Sequence, residues 1–442
     1  MKRSSFSNSK RRPQPSSDSR IAEPRIVDVT VAEVGARGDG IASVEGVKVF
    51  VPLTVPGDRA RVRIKDGAKD KGEPLRADLL EILEPGTGRG TAPCGHFGAC
   101  GGCTLQHMDD EAYAAWKVGQ VRGALARVGL GDAPFVPLSR TPPAARRRAR
   151  FAALKRGKRV WFGFNERLSH RLVDLEDCPV LAPRLTALVE PLRALLLQVL
   201  PEGGACDVIA ADLEGGIDLV LVGPRSLDRA ARERLVAFNE SEVARISWQP
   251  DDRGAPEPIA HRRPVAVRFA GVPVTPPPGA FLQASAEGEA ALVSAVLEHV
   301  GEAKRVADLF AGLGTFSVPL AQRAAVHAVE GDALAQAALN KAAGSLRLTT
   351  ERRDLFENPL TAKELARFDA VVFDPPRAGA AAQAQALAVS KVPLVVAVSC
   401  NPATFARDAR TLADGGYALT RVYPVDQFLW SAHVEVVGVF TR

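Results

Sequence analysis

The chain has 442 residues, of which 46% are hydrophobic and 24% charged, with a formal net charge of +6. At about 150 residues per domain this length predicts roughly three domains, and the composition excludes a disordered, collagen-like or small disulfide-stapled protein. The sequence has no apolar run of the ~20 residues that a membrane helix needs and no signal-peptide pattern. We therefore expect a cytoplasmic protein whose six cysteines form no disulfides, so that metal ligation and catalysis are the roles to consider for them.

The first two thirds of the chain divide into three predicted regions. Residues 1–24 are basic and rich in Ser and Pro, which predicts a disordered tail. Residues 25–85 contain short β-branched runs separated by Gly, Asp and Pro turns, a pattern that predicts a small β-barrel. Residues 86–270 mix strands with helical stretches at Glu111–Leu130 and Leu181–Leu200, and we expect them to form a central α+β domain.

A basic stretch lies inside this central region. Between Arg140 and Arg171 there are eleven Lys and Arg residues and one acid, Glu166. The interleaved aromatic residues are Phe151, Trp161, Phe162 and Phe164. The stretch predicts an RNA-binding face on which Arg147, Arg148 and Arg150 contact phosphates. The alternative is a solvated face whose rings point into the core, which the alternation supports for some of them.

Residues 271–442 follow a different pattern, in which apolar strands alternate with helices. The strands are RVADLF, VHAVE, FDAVVFD and VPLVVAVSC, and two more, ALTRVYPV and VEVVGVF, end the chain. Alternation of this kind predicts an α/β fold with a doubly wound, Rossmann-like parallel sheet that helices cover on both faces.

A Gly-rich loop, DLFAGLGTFS, follows the first of these strands. Gly312 and Gly314 let a ligand approach the backbone, although a strand-to-helix turn often needs glycine for steric reasons alone. Glu330 ends the next strand, where an acid can hold ribose hydroxyls, and Asp354 could reach an adenine amino group. Because no third glycine follows in dinucleotide register, a nucleoside cofactor without pyrophosphate is favoured, and S-adenosylmethionine fits.

The motif Asp374-Pro375-Pro376-Arg377 ends a later strand. The prolines keep the chain extended beside a planar base, which the acid can orient. A plain strand-ending turn is the alternative. Similar motifs also occur in methyltransferases that act on exocyclic amino nitrogens, so this motif alone does not identify the reaction.

Cys400 lies between a buried strand and a helix, whose N-terminal dipole is expected to favour a thiolate. A lone cysteine usually packs, but one at the ligand-binding edge of a sheet is a candidate nucleophile. Carbon 5 of uracil needs such a nucleophile, because thiolate addition to carbon 6 is what makes it reactive toward a methylsulfonium. Glu435 is the candidate base that removes the carbon-5 proton, and His433 is its competitor.

Three cysteines, Cys94, Cys100 and Cys103, have the spacing C-x5-C-x2-C, and Cys178 is a possible fourth ligand. Four thiolates suit an iron–sulfur cluster or a structural zinc ion, and the spacing favours neither. Cys206 lies outside this group and is interpreted as packing.

The segments CGHFGACGGCTLQH, DCPVL, FLQAS, DLFAGLGTFS, DPPRAGA, SCNPATFARD and HVE together resemble the RNA uridine carbon-5 methyltransferases. The resemblance extends from about Arg25 to the end, and residues 25–85 resemble the TRAM domain of the 23S ribosomal RNA branch. It implies a 4Fe-4S cluster on Cys94, Cys100, Cys103 and Cys178, nucleophile Cys400 and base Glu435. The S-adenosylmethionine contacts that it implies are Gln283, Phe310, Thr315, Glu330, Asp354 and Asp374.

Some positions depart from the family pattern. Ser285 replaces the usual Asn of F-x-Q-x-N, Ala311 replaces a common Cys, and the lead into HVE is atypical. The cysteine group and the TRAM-like region favour 23S ribosomal RNA as the substrate and partner. The enzyme is predicted to be a monomer. The alternatives are methylation of transfer RNA at uridine 54, methylation of an amino nitrogen, and a non-catalytic iron–sulfur RNA-binding assembly factor.

Overall fold

The computed structural model describes residues 25–65, 74–223, 227–251, 254–344 and 346–442. The predicted tail, residues 1–24, lies outside the described residues. Within the described ranges, no helix has the length and apolar character needed to cross a membrane.

The N-terminal sheet has six strands in the order β1-β5-β6-β4-β3-β2. They are β1 (Arg25–Thr30), β2 (Glu33–Val34), β3 (Gly40–Val44), β4 (Val47–Val51), β5 (Arg59–Lys65) and β6 (Leu75–Glu84). In β5, Ala60, Val62 and Ile64 are buried while the residues between them are not, because alternate side chains point to opposite faces. The sheet surrounds one apolar core, as the predicted small β-barrel requires.

The next elements are α1 (Asp110–Ala126) and β7 (Ser139–Arg140), followed by a seven-stranded sheet of order β10-β9-β8-β11-β12-β13-β14. Its strands are β8 (Arg148–Arg156), β9 (Arg159–Asn165), β10 (Leu172–Asp174), β11 (Ala205–Leu213), β12 (Gly216–Gly223), β13 (Val243–Pro250) and β14 (Glu257–His261). The helices are α2 (Pro183–Ala187), α3 (Val189–Val199) and α4 (Arg229–Ala237). Phe151 and Phe162 lie in the core of this sheet, so the alternative in which rings of the basic stretch point into the core holds for these two.

The C-terminal region begins with the hairpin β15 (Val267–Phe269) and β16 (Val272–Val274). An eight-stranded sheet of order β19-β18-β17-β20-β21-β23-β22-β7 follows. Its strands, besides β7, are β17 (Arg305–Leu309), β18 (Ala325–Glu330), β19 (Leu348–Arg352), β20 (Ala370–Phe373), β21 (Leu394–Ser399), β22 (Ala418–Asp426) and β23 (Glu435–Thr441). The helices are α5 (Ala286–Val300), α6 (Ser317–Ala321), α7 (Ala333–Ala343), α8 (Ala362–Leu365), α9 (Ala381–Ala388) and α10 (Pro402–Asp414).

Strands β17 to β21 of this sheet are parallel, and β23 runs antiparallel between β21 and β22. Residues of α5, α6 and α7 share one core with the sheet, and residues of α1, α9 and α10 share a second core on the other face. Two buried faces explain why β20 is buried along its whole length. The predicted doubly wound α/β fold is confirmed.

Helix α1 and strand β7 pack on this last sheet, although they belong to the segment 86–270 that the sequence assigns to a central domain. Ser139 pairs with Val425 and Arg140 with Asp426, and Val121 and Leu125 of α1 are buried in the core beside α10. Strand β7 covers the edge of β22, which would otherwise present unpaired backbone groups to solvent. The predicted domain limits themselves stay predictions.

Helix α1 is anchored to the sheet by a buried ion pair. Lys117 Nζ lies 2.7 Å from Asp426 Oδ1, and both side chains have no exposed surface. The Tyr113 hydroxyl donates to the other Asp426 oxygen at 2.5 Å. Lys117 also donates to the backbone carbonyls of Phe428 and His433. The pair therefore fixes the segment that connects β22 to β23.

Lys117→Met should lower the free energy of unfolding by about 3–5 kcal/mol, because it leaves the Asp426 carboxylate buried without its partner charge. Urea unfolding measures the loss. The matched control is Arg410→Met, which removes the exposed ion pair between Arg410 and Asp414 on α10 and should cost less than about 1 kcal/mol. Equal losses in the two variants would contradict the anchoring role.

Candidate active site

The loop after β17 has a backbone that only a few residue types tolerate. Phe310, Gly312 and Gly314 have φ angles of 62°, 54° and 97°. A Cβ atom on Gly314 would lie 2.4 Å from Leu339 Cδ1, so this position requires glycine for packing as well as for its backbone. The predicted Gly-rich loop therefore brings its backbone to the ligand-binding edge of the sheet.

Glu330 closes this loop from the end of the neighbouring strand β18. Its carboxylate accepts hydrogen bonds from the backbone N–H of Gly312 at 2.8 Å and of Asp332 at 2.7 Å. These bonds hold the Gly-rich loop against the end of β18. Each carboxylate oxygen can accept a further bond, as the binding of ribose hydroxyls requires.

Asp308 at the base of the loop was not identified from the sequence. It is fully buried, and burial raises the pKa of its carboxyl to about 7. One oxygen accepts a hydrogen bond from the Ser317 hydroxyl, whereas Oδ1 has no partner among the described residues. A buried acceptor without a partner is a suitable site for a cationic or water-bridged ligand group.

Asp354 lies close to two aromatic rings, one of which, Phe310, belongs to the Gly-rich loop. Phe310 and Phe356 have ring centroids 5.4 Å apart, and Phe356 is 47% exposed. Asp354 accepts from the Phe356 N–H at 2.9 Å. An exposed ring beside an acid suits a purine base, and the sequence signal for it was an aromatic residue two positions after Asp354.

Cys400 and Glu435 face each other across two paired strands. The antiparallel register of β21 and β23 pairs Ser399 with Val436. Cys400, directly after β21, therefore lies opposite Glu435, the first residue of β23. Glu435 is only 4% exposed. A thiol and a carboxyl group therefore meet at the edge where the cofactor loop lies.

The Cys400 thiol is not activated in the way that the sequence predicts. Burial first, and then the charges of Glu435 and Asp374, raise the pKa of Cys400 to about 11. The N-terminus of α10 is capped by the Asn401 side chain, which accepts the Ala403 N–H. The expectation that the helix dipole favours a thiolate was wrong for the ligand-free chain, because two carboxylates and burial outweigh it.

Two buried glutamine side chains connect the carboxyl groups of the site. Gln283 Nε2 lies 3.3 Å from Asp374 Oδ2, and Gln427 Nε2 lies 3.0 Å from Glu435 Oε1. The two amides are bonded to each other at 2.6 Å. Burial raises the pKa of both Asp374 and Glu435, and the charge of Asp374 adds to the effect on Glu435. Gln427 was missed by sequence reasoning.

The four cysteines of the predicted cluster lie near one another. Burial raises the pKa of Cys103 to about 12, and Cys178, Cys100 and Cys94 contribute to this increase. Among the residues that the structure describes, no three His, Cys, Asp or Glu side chains are grouped closely enough to hold a metal ion as they stand. Burial, and then the repulsion between neighbouring thiolates, disfavour the thiolate form that a metal ligand requires.

The arginines of the basic stretch have different surroundings. Arg147 is bound to Glu289 and to the carbonyl of Gln283, so its charge is already paired inside the protein, and its predicted contact with phosphate stays a prediction. Arg148 lies over the ring of Phe281, 4.6 Å from its centroid, and this ring is 65% exposed. Phe281 precedes Gln283 by two residues, so the arginine and the exposed ring lie beside the segment that leads to this predicted cofactor contact.

The sheet, the Gly-rich loop and the acids at the strand ends define an S-adenosylmethionine-dependent methyltransferase. A solved structure with the same fold is the Pyrococcus abyssi tRNA (uracil-54, C5)-methyltransferase in complex with S-adenosyl-L-homocysteine. Its TM-score is 0.71 at 22% identity, with 94% of this chain and 100% of that chain covered. This likeness concerns the fold.

Residues 275–442 match the family of tRNA (Uracil-5-)-methyltransferases, and residues 23–80 match the TRAM domain. An RNA methyltransferase of Brucella suis is 45% identical, covering 94% of this chain and 97% of the relative. The 23S rRNA (uracil(1939)-C(5))-methyltransferase RlmD of Halomonas elongata is 35% identical, covering 98% and 93%. The chain belongs to the RNA (uracil-5-)-methyltransferase family and is an S-adenosylmethionine-dependent enzyme of that class.

Proposed function

We propose that the protein methylates carbon 5 of a uridine in 23S ribosomal RNA through a covalent Cys400 adduct that Glu435 resolves. The observation that carries the mechanism is that Cys400, directly after β21, lies opposite Glu435, the first residue of β23. The similarity to the Halomonas RlmD protein, which extends over 98% of this chain, supports ribosomal RNA as the substrate.

The Cys400 sulfur, once its proton has left, adds to carbon 6 of the uracil ring and turns carbon 5 into an enolate carbon. That proton passes to the Asp374 carboxylate, whose charge, after burial and Glu435, raises the pKa of the thiol, so Glu435 stays unprotonated for the later step. S-adenosylmethionine supplies the methyl group on a sulfonium sulfur. Glu435 then removes the carbon-5 proton, the bond between carbon 6 and sulfur breaks, and the thiolate is restored.

The cofactor would be held along the edge of the sheet. We assign its binding to Gln283, Phe310, Gly312, Gly314, Thr315, Glu330, Asp354 and Asp374. Glu330 and the loop glycines suit the ribose, and Asp354 beside Phe356 suits the adenine ring. The unpartnered Oδ1 of Asp308 adds an acceptor that complements a cationic ligand.

The substrate is tested by incubating the protein with labelled S-adenosylmethionine and transcripts of 23S ribosomal RNA or transfer RNA. Mass spectrometry of the digested RNA should find 5-methyluridine in the ribosomal transcript. Label in transfer RNA at uridine 54 would support the alternative substrate, and label on an amino nitrogen would reject the mechanism. The cytoplasmic location and the monomeric state stay predictions.

Cys400→Ala should abolish methylation and any RNA adduct while S-adenosylmethionine still binds, because addition to carbon 6 comes first. Glu435→Gln should still attack and methylate but then retain a methylated protein–RNA adduct, since the carbon-5 proton cannot leave. A catalytic base contributes ~10² to 10⁴-fold to its step, so the adduct should be evident on a denaturing gel. If His433→Ala retains the adduct and Glu435→Gln turns over normally, His433 is the base instead.

We also propose a 4Fe-4S cluster on Cys94, Cys100, Cys103 and Cys178. Two backbone N–H groups, of Val180 and Leu181, point to the Cys178 sulfur, and the Gly102 N–H lies 3.4 Å from the Cys100 sulfur. Such bonds stabilise thiolate ligands. The electrostatic contacts among all four thiols support one shared site.

Protein purified without oxygen should be brown and contain about four iron and four sulfide per chain. Cys178→Ser should lose iron and colour, because it removes one of four ligands. Cys206→Ala is the matched control, since Cys206 is buried in the core of the central sheet away from the group, and it should retain both. Stoichiometric zinc without iron would contradict the cluster.

A further inference from the structure

We infer that Gln427 is a positioning residue that keeps Glu435 ready to accept a proton and fixes the orientation of the Gln283 amide. The inference deepens the proposed function and rests on it. Gln427 lies just after β22 and is only 2% exposed. It belongs to the segment that Lys117 and Asp426 anchor.

The direction of the hydrogen bonds follows from one backbone group. The Ala284 N–H can only donate, and it lies 2.8 Å from Gln427 Oε1. The other end of the Gln427 amide must then be the NH₂ group, which has two hydrogens to donate. These reach Gln283 Oε1 at 2.6 Å and Glu435 Oε1 at 3.0 Å.

The same constraint continues through Gln283. Because its oxygen faces Gln427, its nitrogen faces Asp374 Oδ2 at 3.3 Å, which accepts when ionised. Rotating either amide by half a turn would place two donors or two acceptors against each other in a buried site. One backbone N–H thus sets the polarity of a hydrogen-bond chain that ends on two carboxyl groups.

A separate observation shows that the position of Gln427 is built into the fold. Gly288 lies in the first half of α5, where alanine would ordinarily be favoured by about 1 kcal/mol. A Cβ atom at Gly288 would lie 2.5 Å from Gln427 Cβ. The glycine therefore leaves the space in which the Gln427 side chain reaches Glu435.

The bond from Gln427 favours the ionised form of Glu435, which is the form that accepts the carbon-5 proton. It opposes the effects of burial and of Asp374 on that carboxyl. Gln427 touches Glu435 and Gln283 but acts on the substrate only through them. Its loss should therefore affect the step that needs the base more than the steps that precede it.

Gln427→Met keeps the length of the side chain and removes the amide. In single-turnover reactions with the RNA that the wild-type protein methylates, breakdown of the methylated Cys400 adduct should slow by roughly 10- to 100-fold, as expected for loss of one hydrogen bond to a charged group. S-adenosylmethionine affinity and methyl transfer should change by only a few-fold. Gly288→Ala should slow the same step, because it displaces Gln427 without changing its chemistry.

Gln383→Met is the matched control. Gln383 is an equally buried amide, 1% exposed, that bonds only to the backbone of Leu360 among the contacts described, so its replacement should leave adduct breakdown unchanged. Combining Gln427→Met with Glu435→Gln should be no slower in adduct breakdown than Glu435→Gln alone, since both act on the same step.

The outcomes separate the two levels of the proposal. If the wild-type protein makes no 5-methyluridine in any RNA, the proposed function and this inference both fail. If the wild type does, but Gln427→Met and Gly288→Ala break down the adduct at the wild-type rate, only the role of Gln427 is wrong. An equal slowing by Gln383→Met would also overturn it, because the effect would then be general.

Discussion

The ion pair between Lys117 and Asp426 is the interaction on which the geometry of the active site depends. Burying two charges costs free energy that their attraction only partly offsets. The pair therefore fixes the position of α1 relative to the end of β22 more than it stabilises the fold. It joins α1 to the end of β22 at the residue that precedes Gln427. Trp430, three residues further on, donates its N–H to Tyr113 at 2.8 Å, which adds a second attachment for the same segment.

The segment after Asp426 also contacts the loop that carries the cysteines. The Trp430 carbonyl accepts the backbone N–H groups of Thr104 at 2.8 Å and Leu105 at 3.0 Å. Leu105 and Leu429 share a small apolar core with Val34 of β2 and with Val55, which lies between β4 and β5. The N-terminal sheet, the cysteine loop and the residues leading to Glu435 are therefore physically connected.

The residues at the ligand-binding edge of the sheet could be located from the sequence, because they lie at the ends of strands or directly after them. Each strand end could be located from a run of apolar residues, and Gly312, Glu330, Asp374 and Cys400 follow such runs. Lys117 and Gln427 could not be found in this way, since their roles depend on partners far away in the chain. The ionisation of Cys400 was misjudged for the same reason: burial by the surrounding fold, and then the charges of Glu435 and Asp374 from other parts of the chain, raise its pKa.

The antiparallel direction of β23 explains how a residue near the end of the chain reaches Cys400. Parallel strands bring only their carboxyl ends to the ligand-binding edge, so residues that begin a strand lie on the opposite side of the sheet. Because β23 runs against β21, its first residue, Glu435, lies at the edge where β21 ends. Strand β22 runs parallel to β21, and its last residue, Asp426, reaches that edge too. Residues 427–434 therefore connect the two strands at this edge, which is why a buried ion pair at Asp426 can control the position of the base.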